Sequence, residues 1–303
     1  DVCPIAYVLT GDRRYAHPVA LVLVRLAQAW PGWPLLSTEG PGTEYATPGA
    51  KQPPYNTVAH HGSGVWGEQK LLMFAAIAYD LTYGSGEYEA IGQRERFDAK
   101  GLVETDFLAN AARFYSNRSH SLGNFDGYKI AALACAARAA GEPQLVHATL
   151  RLLRVMLANN FYRDGFWCER TSGYHEQTLN FSRAAEALMD YSDPPGFTSP
   201  RDGTRLDHFN PYAELPLARA YTATLWLMFP NRDTARFNDS SPREGWMQEL
   251  YSTLAHRTGR ADLPLAAEGQ DRDRFSLFHL DPEARLQSRP VPELEQSGIL
   301  PAS

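Results

Sequence analysis

The chain has 303 residues and a formal net charge of -6, enough length for one large domain or two ordinary ones. Its 44% hydrophobic and 21% charged residues exclude wholesale disorder, and the acidic balance argues against a nucleic-acid binder, which would carry a basic face. No apolar run reaches the roughly 20 residues a membrane helix needs, and Cys3, Cys135 and Cys168, none paired as CxxC, offer neither a disulfide framework nor structural zinc.

The chain begins at Asp1 rather than an initiator Met, as expected after removal of a signal peptide or at a start inside a longer chain. The first alternative goes with a secreted or periplasmic protein. GDRRY then precedes a helix predicted from about Pro18 to Trp30, interrupted by Arg25 and Gln28. A loop rich in Pro and Gly, Ser37 to Tyr55, leads to His60-His61-Gly62-Ser63-Gly64 and a helix from about Trp66 to Tyr83. GSGEYE follows it, and Phe107, Ala111 and Phe114 share one helical face. Helices at Lys129 to Ala140 and Leu145 to Asn159 flank Gly141-Glu142-Pro143, the second with Leu145, Ala148, Leu152 and Met156 on one side. Leu179, Ala184, Ala187 and Leu188, then Leu215, Ala218, Leu225 and Met228, continue the spacing on either side of a second long loop, Ser192 to Pro211. A helix around Trp246 to His256 closes at Gly259 to Asp262.

Four times a glycine ends a helical run and an acidic residue opens the next, the punctuation of antiparallel helix pairs. Period-2 patterns are scarce, so the expected fold is all-α, a toroid or solenoid of helical hairpins over residues 1–280. Residues 281–303, with Pro290, Pro292 and Pro301 and no helical period, are expected to lead into a second domain largely outside this chain.

Three polar clusters lie at loops before helices, where a toroid would gather them on one rim. The densest runs from Asp164 to Gln177: Asp164-Gly165 makes a turn, and Thr171 or Ser172 can cap a helix carrying Tyr174 and His175. Tyr174 would then lie at a positive helix end that favours a phenolate or an anionic ligand. A plain alternative is a core tyrosine with a satisfied hydroxyl. The second cluster, Asn117-Arg118-Ser119-His120-Ser121-Leu122-Gly123-Asn124, offers a cation, an imidazole and two carboxamides, or an ordinary capping loop. In the third, His60 and His61 are adjacent and point different ways, and with no HExxH spacing metal catalysis is not expected.

The string DGFWCERTSGYHEQTLNF resembles the motif of heparinase II/III-like polysaccharide lyases, and NRSHSLGNFDGYKIAALACAARAAGE resembles the helix that precedes it in that family. AIAYDLTYG and RFNDSSP are similar to the family's helix end and its later Asp-Ser loop, and SRPVPELEQSGI to the lead into its β-sandwich. The resemblance implies an incomplete α/α toroid followed by a mostly absent β-sandwich domain, with the active site between them. It implies β-elimination on an acidic, uronate-containing polysaccharide, with Tyr174 as proton donor or as both base and acid. It also implies an Asn that neutralises the uronate carboxylate, here Asn124 or Asn117. The family often follows that Asn with a catalytic His. Here Phe125 stands in that place and the nearby imidazole is His120.

Carboxylate neutralisation by carboxamide or imidazolium lets charge build at C5, and a cationic Arg170 or protonated His175 would help a phenol, ordinarily near pKa 10, to ionise. The expected catalytic set is Tyr174, His120, Asn124 and His175. Asn117, Arg118, Glu169, Arg170, His61 and Tyr79 are expected to bind substrate. Lys129, Arg163 and Arg183 are further candidates for anion contacts, and Trp66, Trp167 and Tyr79 for stacking on sugars. No metal or organic cofactor is needed, and neither nucleic acid nor membrane is an expected partner. The competing readings are a toroid glycoside hydrolase using Glu169 with Asp126 or Asp239, and a non-catalytic glycan-binding scaffold.

Overall fold

A computed structural model describes residues 2–33, 36–37, 58–59, 65–117, 122–229, 234–240, 247–260 and 263. These residues are mostly helical, as the all-α reading requires. Among them the sole ladder is an antiparallel pair of two-residue strands, β1 (Leu36–Ser37) and β2 (Val58–Ala59). The chain divides into two compact units, Asp1–Leu153 with Arg183–Phe209, and Arg154–Ser182 with Asn210–Ser303. The expected link at 281–303 lies outside the described residues.

In the first unit, α1 (Val2–Thr10) ends at Gly11, whose φ of 68° suits a glycine, and Asp12 then caps α2 (Arg13–Ala29) by accepting the Arg14 N–H at 2.9 Å. The cap starts this helix earlier than Pro18, which lies inside it and forgoes one intrahelical bond. α3 (Val65–Thr82) falls within a residue of expectation. At the turn into α4 (Glu87–Glu95), the Glu87 carboxylate meets His17 Nδ1 and Arg13 Nε of α2, both at 2.7 Å. Asp98 caps α5 (Ala99–Gly101), which runs through π-helical Leu102–Ala109 into α6 (Asn110–Ser116).

α7 (Asp126–Ala139) is buried all round: Gly127 and every residue from Lys129 to Ala137 are out of solvent. Its alanines let it lie deep against α3, its most extensive neighbour, and a helix apolar on every face has to be enclosed in this way. Lys129 is the exception in chemistry. Its Nζ donates to Asp126 Oδ1 at 2.6 Å, and Asp126 Oδ2 accepts the Gly123 N–H at 2.7 Å, so the buried cation is paired. Lys129 is therefore an internal ion pair and not the surface anion contact expected from the sequence.

Gly141, with φ of 66°, separates α7 from α8 (Pro143–Asn159). The inward face of α8 includes Leu145 and Met156 of the predicted stripe together with Val146, Thr149, Leu150, Leu153 and Leu157, whereas Ala148 and Leu152 of that stripe are half-exposed. α10 (Ser182–Leu188) follows later in the chain, and the long loop after it is pinned from inside. Asp193 accepts the Leu206 N–H at 2.7 Å and faces His147 Nε2 at 2.9 Å, while Arg205 donates to the carbonyls of Asp193, Pro194 and Phe197.

The second unit is built from shorter pieces: α9 (Ser172–Thr178), α11 (Pro211–Glu214), α12 (Leu217–Thr222) and α13 (Gln248–Thr258). α12 and α13 pack together, with Thr224 Oγ1 and the buried Tyr251 hydroxyl 2.9 Å apart. The predicted continuous spacing from Leu215 to Met228 is broken here. Pro216 excludes its predecessor from the α region, and Leu215 is extended at φ -119°, ψ 151°.

Candidate active site

After α8 the chain turns back on itself. Phe161 and Trp167 form an antiparallel bridge, Tyr162 N–H donates to Phe166 O at 2.9 Å, and Cys168 N–H to Asn160 O at 3.0 Å. The tip is the Asp164-Gly165 turn read from the sequence, in which Asp164 Oδ1 accepts the Phe166 N–H at 2.9 Å. Gly165 has φ of 91°, and a Cβ there would meet the Arg219 carbonyl oxygen at 2.2 Å, so only glycine fits between the turn and the backbone of α12.

His175 locks this turn from within. It is fully buried, stacked on Phe166 with ring centroids 4.8 Å apart. Its Nδ1 lies 3.0 Å from the Trp167 N–H and its Nε2 3.0 Å from the Ala220 carbonyl. A backbone N–H can only donate and a carbonyl only accept, so Nδ1 carries the lone pair, Nε2 carries the hydrogen, and the ring is neutral. Burial pushes its pKa down from 6.5 to about 4. The expected role of a protonated His175 beside Tyr174 is thereby corrected: with both nitrogens taken by backbone groups, it fixes the turn.

Tyr174 is set by the next residues. Thr171 is the N-cap of α9 and accepts the Tyr174 N–H at 2.9 Å. The Tyr174 side chain is half-buried, and its hydroxyl donates to Asp239 Oδ2 at 2.6 Å. Asp239 belongs to the described stretch 234–240, which is stitched to the same turn. Asn238 Nδ2 donates to Arg170 O at 2.9 Å, and Ser172 N–H to Ser240 Oγ at 3.1 Å. Asn238 adopts φ of 51°, a left-handed conformation that Asn tolerates better than most residues.

The other expected residues fall in several parts of the chain. Arg118, His120 and His61 lie outside the described residues. Asn117 is exposed at the end of α6 and Asn124 is buried just before α7, both in the first unit, whereas Tyr174 is in the second. Glu169 is exposed. Arg170, also exposed, points its Nε at the Tyr162 hydroxyl at 3.0 Å, so its guanidinium engages that phenol and not Tyr174 as expected. Tyr79 is buried with its hydroxyl on Glu104 at 2.7 Å, and burial together with that carboxylate holds it well above the usual phenol range. It forms part of the core, as does the fully buried Trp167, so neither presents a ring face to a sugar. Among the described residues no cluster of three or more His, Cys, Asp or Glu is gathered as for a metal ion, and no helix is long and apolar enough to cross a membrane. Compared with known proteins, the sequence matches no family model and no curated protein.

Reading the sequence missed the pairing of Asp239 with Tyr174. The two are 65 residues apart, so no local spacing could announce it. The signals were the resemblance of RFNDSSP to the family's later Asp-Ser loop and the place of Asp239 among the carboxylates of the hydrolase reading.

Proposed function

We propose that the chain is the helical part of a polysaccharide lyase that cleaves an acidic, uronate-containing glycan by β-elimination, with Tyr174 as the group that moves the proton. One observation carries this reading. The Tyr174 hydroxyl is hydrogen-bonded at 2.6 Å to an exposed carboxylate, on a side chain that is only half-buried. A tyrosine present only for packing would satisfy its hydroxyl in the interior, as Tyr79 and Tyr251 do. Thr171 caps the helix that carries Tyr174, and His175 and Gly165 fix the turn before that helix; positioning of this kind is what proton transfer to or from carbon requires.

In this reading the toroid carries Tyr174, and Asn117 or Asn124 neutralises the uronate carboxylate. The exposed Asn117 is the one a polymer reaches without rearrangement. His120, Arg118 and His61 supply further polar contacts, and the β-sandwich expected beyond residue 281 closes the site. Secretion or export to the periplasm suits a polymer substrate, and no cofactor enters the scheme.

The test is to incubate the full-length protein with heparan-, alginate-, hyaluronan- and ulvan-like polymers and follow the ultraviolet absorbance of the unsaturated product. Tyr174→Phe keeps the ring and removes the proton, so the rate should fall about a hundredfold to ten-thousandfold with little change in KM. More than about a tenth of the wild-type rate in that variant, less loss than a proton-transfer group gives, would overturn the reading. Reducing ends without unsaturation would indicate hydrolysis and direct attention to Glu169 with Asp239.

A further inference from the structure

We propose that Asp239 is the proton acceptor behind Tyr174, so that the two work as a relay in which the phenol never has to ionise in advance. The inference rests on the lyase reading and adds to it a residue that acts through Tyr174. Three bonds tie residues 238–240 to residues 170–174: Tyr174 hydroxyl to Asp239, Ser172 N–H to Ser240 Oγ, and Asn238 Nδ2 to Arg170 O. A short stretch distant in sequence is thus held at three points around one carboxylate. Ser240 Oγ also donates to the Phe237 carbonyl at 2.6 Å, which fixes the stretch within itself. The 2.6 Å phenol-to-carboxylate distance is that of a charge-assisted bond.

The charge of the partner decides the mechanism. A cation beside a phenol would favour the phenolate, but the groups expected to supply it are engaged elsewhere, His175 in the core and Arg170 on Tyr162. Asp239 accepts the Tyr174 hydroxyl directly, so it is placed to take that proton as the phenol oxygen receives another. The arrangement suits a coupled transfer. As the C5–H bond breaks, its proton passes to the Tyr174 oxygen, whose own proton passes to Asp239. The C–H electron pair becomes the C4–C5 double bond as the C4–O bond breaks. The expelled oxygen takes a proton from Tyr174, and Asp239 returns the other to Tyr174. The protein ends as it began, and the substrate becomes an unsaturated uronate and a free hydroxyl.

Asp239→Asn separates this role from a structural one, because the carboxamide oxygen still accepts the phenol hydrogen and keeps the segment attached, yet cannot take the proton. In the full-length protein kcat should fall about a hundredfold or more, with KM within about twofold. The residual rate should climb with pH toward the ordinary phenol range near 10, and Asp239→Glu should restore part of the neutral-pH rate. A neutral-pH rate within about threefold of wild type in Asp239→Asn, too small a loss for a proton-transfer group, overturns the proposal. The wild-type profile tests it without any variant. A rate already developed near neutrality supports the relay, and one that rises tenfold per pH unit up to about 10, as a lone phenol would, overturns it. Should no polymer yield unsaturated product, the lyase reading fails by itself. The pair is then judged by titrating the Tyr174 ring-carbon NMR signal, assigned by its loss in Tyr174→Phe. A lower ionisation pH in Asp239→Asn supports the coupling, and no change overturns it.

Discussion

α7 and the Tyr174 turn are both rigid, but by different means. α7 is enclosed by volume: small side chains on every face let neighbouring helices close around it, and direction matters little. The turn from Asn160 to Thr178 is held by direction. Two of its backbone N–H groups meet an imidazole and a hydroxyl in fixed geometry, the imidazole in turn donates to the Ala220 carbonyl, and one glycine stands where nothing larger fits. Regions of the first kind make a scaffold that tolerates polar change poorly. Regions of the second kind can aim a side chain, which is what a site needs.

The sharpest way to break the turn is Gly165→Ala. The added Cβ would lie 2.2 Å from a backbone oxygen at a φ of 91°, and neither fault can be relieved by a side-chain move. The expected cost is about 4 kcal/mol or more, the range of exceptional single substitutions, read as a lower denaturant midpoint. A loss below about 1 kcal/mol, the average for any substitution, would show that the turn yields.

Acid should loosen the same turn. His175 is neutral in the folded chain until about pH 4, whereas exposed by unfolding it protonates near 6.5. The unfolded state therefore binds the extra proton first. The contribution of His175 is fully present above about pH 6.5 and is lost as pH falls to about 4, in all about 3 kcal/mol at 1.36 kcal/mol per pH unit. Unfolding free energies between those pH values should fall in the wild type and lose this component in His175→Gln. Parallel curves for the two would rule it out.

The smallest effect is expected in α7. Ala134→Leu adds volume to a position with no exposure, and overpacking of this kind costs about 1 to 3 kcal/mol. Stability unchanged or raised would mean that a void lies beside it and that volume does not set this region.

The contrast explains what could be read from the sequence. Helices with long apolar runs were visible: α3 and α7 begin and end within a few residues of expectation, because periodicity and the glycines at 86 and 141 mark them. On α8 the expected stripe is half right: Leu145 and Met156 are buried, but Val146, Leu150 and Leu153 compete with Ala148 and Leu152 on apolar grounds and only the neighbours decide. The break at Pro216 is legible in the proline itself but hidden by the helical spacing around it. In the candidate site, the Asp164-Gly165 turn and the Thr171 cap are local and were legible. The neutrality of His175 depends on Ala220 and the partner of Tyr174 on Asp239, contacts 45 and 65 residues away. Neither leaves a trace in local pattern.

The enclosure of α7 also gives the protein an internal clock. Cys135 lies within that helix, and burial pushes its thiol up to about 12. Only a thiolate reacts readily with alkylating reagents, so this sulfur is silent while the helix stays closed. Cys3 and Cys168 are half-buried and react ahead of it. The last equivalent of label taken up by the native protein is then a count of openings of the first unit, and its rate measures how often that core comes apart.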